Sequence, residues 1–122
     1  MSYGFENPLF WVASSRKDLS SMPPEVQATF GYALYIAQTG GKHSETKPLK
    51  GFGHAGVLEV VEDFHGNTYR AIYTVRFGNA VYVLHCFQKE SMKKSQTPHH
   101  DIAVVKSRLL AAESHWKGLT HD

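Results

Sequence analysis

The sequence predicts an α+β fold: a twisted antiparallel β-meander joined by an N-terminal strand, with helices packed on one face. Three observations carry this. Tyr69 to Phe77 is a dense β-branched and aromatic run that turns at Gly78-Asn79 and returns as Val81 to Phe87, the pattern of a tight hairpin. Val57 to Glu62 supplies a strand ahead of it. Two stretches with apolar residues at helical spacing flank the meander, Val26-Phe30-Leu34-Ala37 before it and Ile102-Val105-Leu109-Ala112-Trp116 after it.

In chain order, Pro8 to Ala13 is a compact apolar run that reads as a first strand laid against the meander. Ser14 to Met22 carries Leu19 and Met22 at the spacing of a short helix. Pro23-Pro24 then punctuates, with Pro24 placed to open the next helix, and Gly40-Gly41 closes it. Gly41 to Gly56, rich in glycine and holding Lys42, Lys47 and Lys50, reads as a long loop whose backbone can approach a ligand closely. After the hairpin, Gln88 to Gln96 is polar and basic. Thr97-Pro98 supplies an N-cap and first-turn pair for the last helix, which ends near Gly118 with a frayed tail over 118–122.

At 122 residues the chain reads as a single domain, 1–122, with one core. Its 42% hydrophobic and 20% charged residues are ordinary for a globular protein. A single cysteine, Cys86, excludes an intramolecular disulfide framework and fits a reducing cytoplasm. No apolar run is long enough to span a bilayer, and no membrane partner is expected. The formal net charge of +2 is too small to argue nucleic-acid binding by itself, so local clusters have to carry that case.

Strand alternation sorts the meander into two faces. With a two-residue turn at Gly78-Asn79, Arg76 stands opposite Val81, Ile72 opposite His85 and Arg70 opposite Phe87. A turn near Phe64-His65-Gly66-Asn67 sets Glu59 opposite Thr74 and Asp63 opposite Arg70. One face then carries Leu58, Val60, Tyr69, Ala71, Tyr73, Val75, Tyr82, Leu84 and Cys86, the core side. The other gathers Glu59, Arg70, Arg76 and His85 among apolar residues. Alternation alone reads this second face equally well as a solvated surface with incidental salt bridges.

Lys47-Pro48-Leu49-Lys50-Gly51-Phe52-Gly53, then Val57-Leu58-Glu59-Val60, then Tyr69-Arg70-Ala71-Ile72-Tyr73, then Phe87-Gln88-Lys89-Glu90-Ser91 and Thr97-Pro98 before a basic helix form an ordered set. That order resembles the HigB-like, phage-derived branch of the RelE/ParE toxin superfamily, over roughly Phe10 to Trp116. The resemblance implies a small RelE-like fold and the toxin of a type II toxin–antitoxin pair, often a ribosome-dependent ribonuclease that cuts messenger RNA. It implies a helix-turn-helix, HigA-like antitoxin as partner, with operator DNA met only through that complex. An alternative within the superfamily is a ParE-like toxin that binds DNA gyrase, and a further one is an inactive prophage remnant that only binds antitoxin.

Cleaving RNA without a metal or an organic cofactor needs a base for the 2′-hydroxyl, a cation for the charged phosphorane and an acid for the leaving oxygen. Glu59, Arg70 and His85 supply those residue types. Arg70 suits phosphate because a guanidinium binds it bidentately and stays charged; the bland reading is a cross-strand ion pair with Asp63. His85 suits proton transfer, or is a half-exposed structural imidazole. Glu59 is the candidate base, although many members of the superfamily have no catalytic carboxylate. Lys47, Lys50, Arg76, Lys89, Lys93 and Lys94 are candidate contacts to the RNA backbone, with solvated side chains as the alternative. Phe87 can stack on a base but cannot move a proton. Many relatives show an aromatic hydroxyl or a second histidine there, whereas this chain reads His85-Cys86-Phe87-Gln88. His99-His100-Asp101 is the densest of the histidine groups, but adjacent residues at a helix start diverge and make poor metal ligands; no metal is expected.

Overall fold

The chain runs β1 (Leu9–Trp11), α1 (Ser15–Ser20), α2 (Pro24–Gln38), β2 (Thr46–Pro48), β3 (Val57–Phe64), β4 (Asn67–Thr74), β5 (Val81–Lys89) and α3 (His99–Thr120). This is a computed structural model that describes residues 6–53, 56–89 and 97–120. The strands form one five-stranded sheet in the order β1-β5-β4-β3-β2. β1 runs parallel to β5, and the other neighbours are antiparallel. The α+β class and the meander with its N-terminal strand are therefore as expected.

The turn chemistry accounts for the meander. Gly78 and Asn79 both have positive φ, 57° and 68°, and Ala80 N–H donates to Phe77 C=O at 3.0 Å, a mirror-image turn suited to the right-handed twist of a hairpin. His65 and Gly66 take the same sense, at 50° and 80°. The two-residue turn is centred on His65-Gly66, which shifts the β3–β4 register by two residues from the one expected. Glu59 faces Ile72, Val61 faces Arg70 and Asp63 faces Thr68. The shift is even, so each β3 side chain keeps its face.

Between β4 and β5 the expected register holds from Thr68–Lys89 to Ile72–His85, with Arg70 opposite Phe87. A β-bulge then intervenes, and Tyr73 pairs with Val83 and Thr74 with Tyr82. One extra residue inverts the parity beyond it. Tyr82 and Leu84, expected on the α2 side, lie on the Arg70 face, while Val81 and Val83 cross to the other.

The helices occupy both faces of the sheet, not one. Leu19, Met22, Val26, Phe30, Ala33, Leu34 and Ala37 of the α1–α2 region pack on Val60, Ala71, Tyr73 and Val83. On the reverse side Val105 and Ala112 of α3 pack on Ile72, Tyr82 and Leu84. The physical reason lies chiefly in β5, whose Val81-Tyr82-Val83-Leu84 run is apolar on both faces and is stable only when covered on both. Phe30 and Leu34, almost fully buried, each contribute about 2 kcal/mol by leaving water. The single core expected is thus two half-cores separated by the sheet.

Two smaller differences follow. The glycine-rich segment is not loop throughout: Thr46–Pro48 forms the edge strand β2, with Lys47 opposite Glu59. Helix α3 runs on through Gly118 to Thr120. Among the described residues no helix is long and apolar enough to cross a membrane.

Candidate functional site

The face covered by α3 holds Glu59, Arg70 and His85 of the polar residues that alternation selected, and these three are buried. Arg70 and Glu59 are each 2% exposed and His85 is 9%. Arg70 Nη1 donates to Glu59 Oε2 at 2.7 Å and to Thr97 Oγ1 at 3.2 Å, while the Thr97 hydroxyl donates to the same carboxylate oxygen at 2.6 Å. Glu59 Oε1 lies 4.0 Å from the ammonium of Lys47, an exposed side chain on β2. In place of the alternative Asp63 ion pair, Arg70 pairs with Glu59, because the shifted register sets Asp63 opposite Thr68, whose hydroxyl donates to it at 2.8 Å.

His85 belongs to a second network. Its Nε2 is 2.7 Å from Asp101 Oδ1, and its Nδ1 is 3.4 Å from Arg108 Nη1. A guanidinium can only donate, so Nδ1 is the acceptor and Nε2–H donates to Asp101. That is the neutral tautomer. Burial pushes the His85 pKa below the usual imidazole value, and Asp101 only partly offsets it. Arg108 also donates to the Leu84 carbonyl at 2.9 Å and to Ser14 Oγ at 3.2 Å, and Ser14 donates to Asp18 at 2.7 Å. The bulged strand is thereby tied to both α1 and α3. Phe87 stacks on the His85 ring with centroids 4.6 Å apart.

Two clefts flank these networks. One, of about 830 Å³, is lined by Lys47, Pro48, Leu49, Lys50, Gly51, Glu59, Arg70, Thr97, Pro98, His99, Ile102 and Lys106. It brings Arg70 and Glu59 together with Lys47 and Lys50 of the glycine-rich segment. The other, of about 670 Å³, runs along β5 beside the α1–α2 corner and holds His85 and Phe87 with Asp18, Ser21 and Gln88. His85 therefore shares a sheet face with Arg70 but not a cleft. Lys89 is buried at 6% exposure; burial and then the Arg70 charge pull its pKa down. Arg76 is exposed beside the hairpin turn, with its guanidinium 5.9 Å from the Phe77 ring centroid. Lys93 and Lys94 lie outside the described residues. Burial pushes the Cys86 thiol up to about 12, so it is no nucleophile. No cluster of potential metal ligands occurs among the described residues.

Sequence reasoning missed Thr97, Asp101, Lys106 and Arg108. A signal was present for two of them: Asp101, Val105, Arg108 and Ala112 recur at helical spacing, so a carboxylate and a guanidinium share the stripe of the two most buried α3 residues. Thr97 was read as a cap, and nothing local marks its reach to Glu59.

A family model described as phage-derived protein Gp49-like matches residues 17–110. The chain belongs to that family. It is a family of the RelE/HigB toxin type, toxins of toxin–antitoxin systems, as the sequence resemblance implied. Among solved structures, this Gp49-like chain is similar to the toxin–antitoxin complex RelBE2 from Mycobacterium tuberculosis, with 20% identity, 70% of this chain and 94% of that chain covered, and a TM-score of 0.47. No match is found among curated proteins.

Proposed function

We propose that this Gp49-like toxin is a metal-independent endoribonuclease that cuts messenger RNA on the ribosome in the cytoplasm. It is held inactive by a small helix-turn-helix antitoxin and meets operator DNA only through that complex. The observation that carries this reading is the cleft beside Arg70, where Lys47, Lys50 and Lys106 line the walls around a guanidinium. Four cations against the one carboxylate of Glu59 give a recess suited to a phosphodiester. Arg70 reaches its phosphate from a floor fixed by Glu59 and Thr97, and such a pre-set cation stabilises a developing phosphorane without reorganising.

Inducing the chain alone and mapping the 5′ ends of cellular messenger RNA tests this. New ends at discrete positions within translated messages are expected. Growth arrest with intact messages would refute the reading. The burial of Glu59, Arg70 and His85 favours a second reading, a toxin that binds gyrase and uses the three residues only for structure. That reading expects arrest to survive charge reversal at Lys47 and Lys50.

A further inference from the structure

We propose that His99 is the group that takes the 2′-hydroxyl proton in the Arg70 cleft, an assignment that rests on the nuclease reading above. The neutral imidazole accepts the proton from O2′ as O2′ bonds to phosphorus and the bond from phosphorus to O5′ breaks. Water supplies the proton that O5′ gains, and the imidazolium returns its own to solvent. The products are a 2′,3′-cyclic phosphate and a 5′-hydroxyl.

The assignment follows from what the cleft offers. Among its described lining residues, Arg70 never yields a proton, and an ammonium group, such as those of Lys47, Lys50 and Lys106, has donors but no acceptor. Glu59 is almost fully buried, and its Oε2 already accepts from Arg70 and Thr97. His85, the sequence candidate, opens on the other cleft, with Nε2–H committed to Asp101 and Nδ1 facing Arg108. His99 is the imidazole of the Arg70 cleft, and imidazole is the side chain that exchanges protons readily near neutrality. It is exposed in the first turn of α3, just after Thr97, whose hydroxyl bonds Glu59 and meets Arg70. Its place two residues after Thr97 puts it on the wall of the same cleft as Arg70. His100 is equally exposed but does not line the cleft, which makes it a built-in control.

The test compares single-turnover cleavage of ribosome-bound messenger RNA by the parent, His99→Gln and His100→Gln. The expected result is a loss of about 100-fold or more in His99→Gln, with His100→Gln at the parental rate and RNA affinity unchanged in both. The acid limb of the parental pH–rate profile should vanish in His99→Gln, and added imidazole should restore cleavage to His99→Gly. A parental rate in His99→Gln, an equal loss in His100→Gln, or no response to imidazole would overturn the assignment while the nuclease reading stands. A parent that cuts no RNA would remove both.

Discussion

Arg70→Ala is the obvious probe of the site, and the structure predicts that it acts first on stability. The substitution leaves the Glu59 carboxylate, 2% exposed, with the Thr97 hydroxyl and a lysine 4.0 Å away. Removing one partner of a buried ion pair costs about 3–5 kcal/mol, because the other charge remains desolvated. A domain of this size loses roughly 3–5 °C of melting temperature per kcal/mol, so a fall of about 9–25 °C is expected. Replacing both charges with apolar residues of similar volume, Glu59→Leu with Arg70→Met, should recover most of that loss. Thermal unfolding followed by circular dichroism on the two single variants and the double variant measures the coupling directly. If Arg70→Ala melts within about 3 °C of the parent, or if the double variant is no more stable than the single, the ion pair does not hold this face together. The double variant also supplies a folded chain without the guanidinium, the fair subject for a cleavage assay.

Three further outcomes are expected. The folded-state pKa of His85 lies below its unfolded value, so the unfolded chain binds the extra proton; stability is full above about pH 6.5 and falls as pH drops toward the folded pKa. Melting curves of His85→Gln should lose that part of the acid sensitivity, and an unchanged pH dependence would count against the neutral tautomer. At Gly78 an added Cβ overlaps Cζ2 of Trp116, and φ is +57°; Gly78→Ala should therefore cost about 2–4 kcal/mol in urea unfolding, with part recovered by Trp116→Leu. In RNA-binding titrations over a salt series, neutralising Lys47, Lys50 and Lys106 should lower the slope of log K against log salt by about 0.7 for each lysine that meets a phosphate.

What the sequence disclosed follows from where local chemistry is decisive. Gly78-Asn79 admits few turns, so the register from Thr68 to Ile72 could be read in advance. The bulge at Leu84 could not, because Val81-Tyr82-Val83-Leu84 is apolar at every position and offers no alternation to betray a slipped parity. The same run was the sign that β5 is covered on both sides. Strand β2 escaped notice because three residues containing Lys and Pro have little strand preference and sit at an edge. In the site, the shared face of Glu59, Arg70 and His85 was legible from alternation, whereas the place of Lys47 opposite Glu59 came only with strand β2. The depth of the site was not legible, since that depends on α3 folding back and bringing Thr97 from far along the chain.

The parallel pairing of β1 with β5 has a consequence for synthesis. Leu9–Trp11 leaves the ribosome early but has no sheet neighbour until Val81–Val83 emerges, with two helices and three strands in between. So non-local a contact must close a long chain loop before it returns any stabilisation. The N-terminal strand therefore waits unpaired through most of translation, and the cleft waits longer, because Thr97 and Lys106 come later still. A nascent chain with this topology cannot assemble its cationic recess while its C-terminal helix is still in the exit tunnel. Fusing a stalling sequence soon after Lys89 should thus yield a tethered, harmless intermediate.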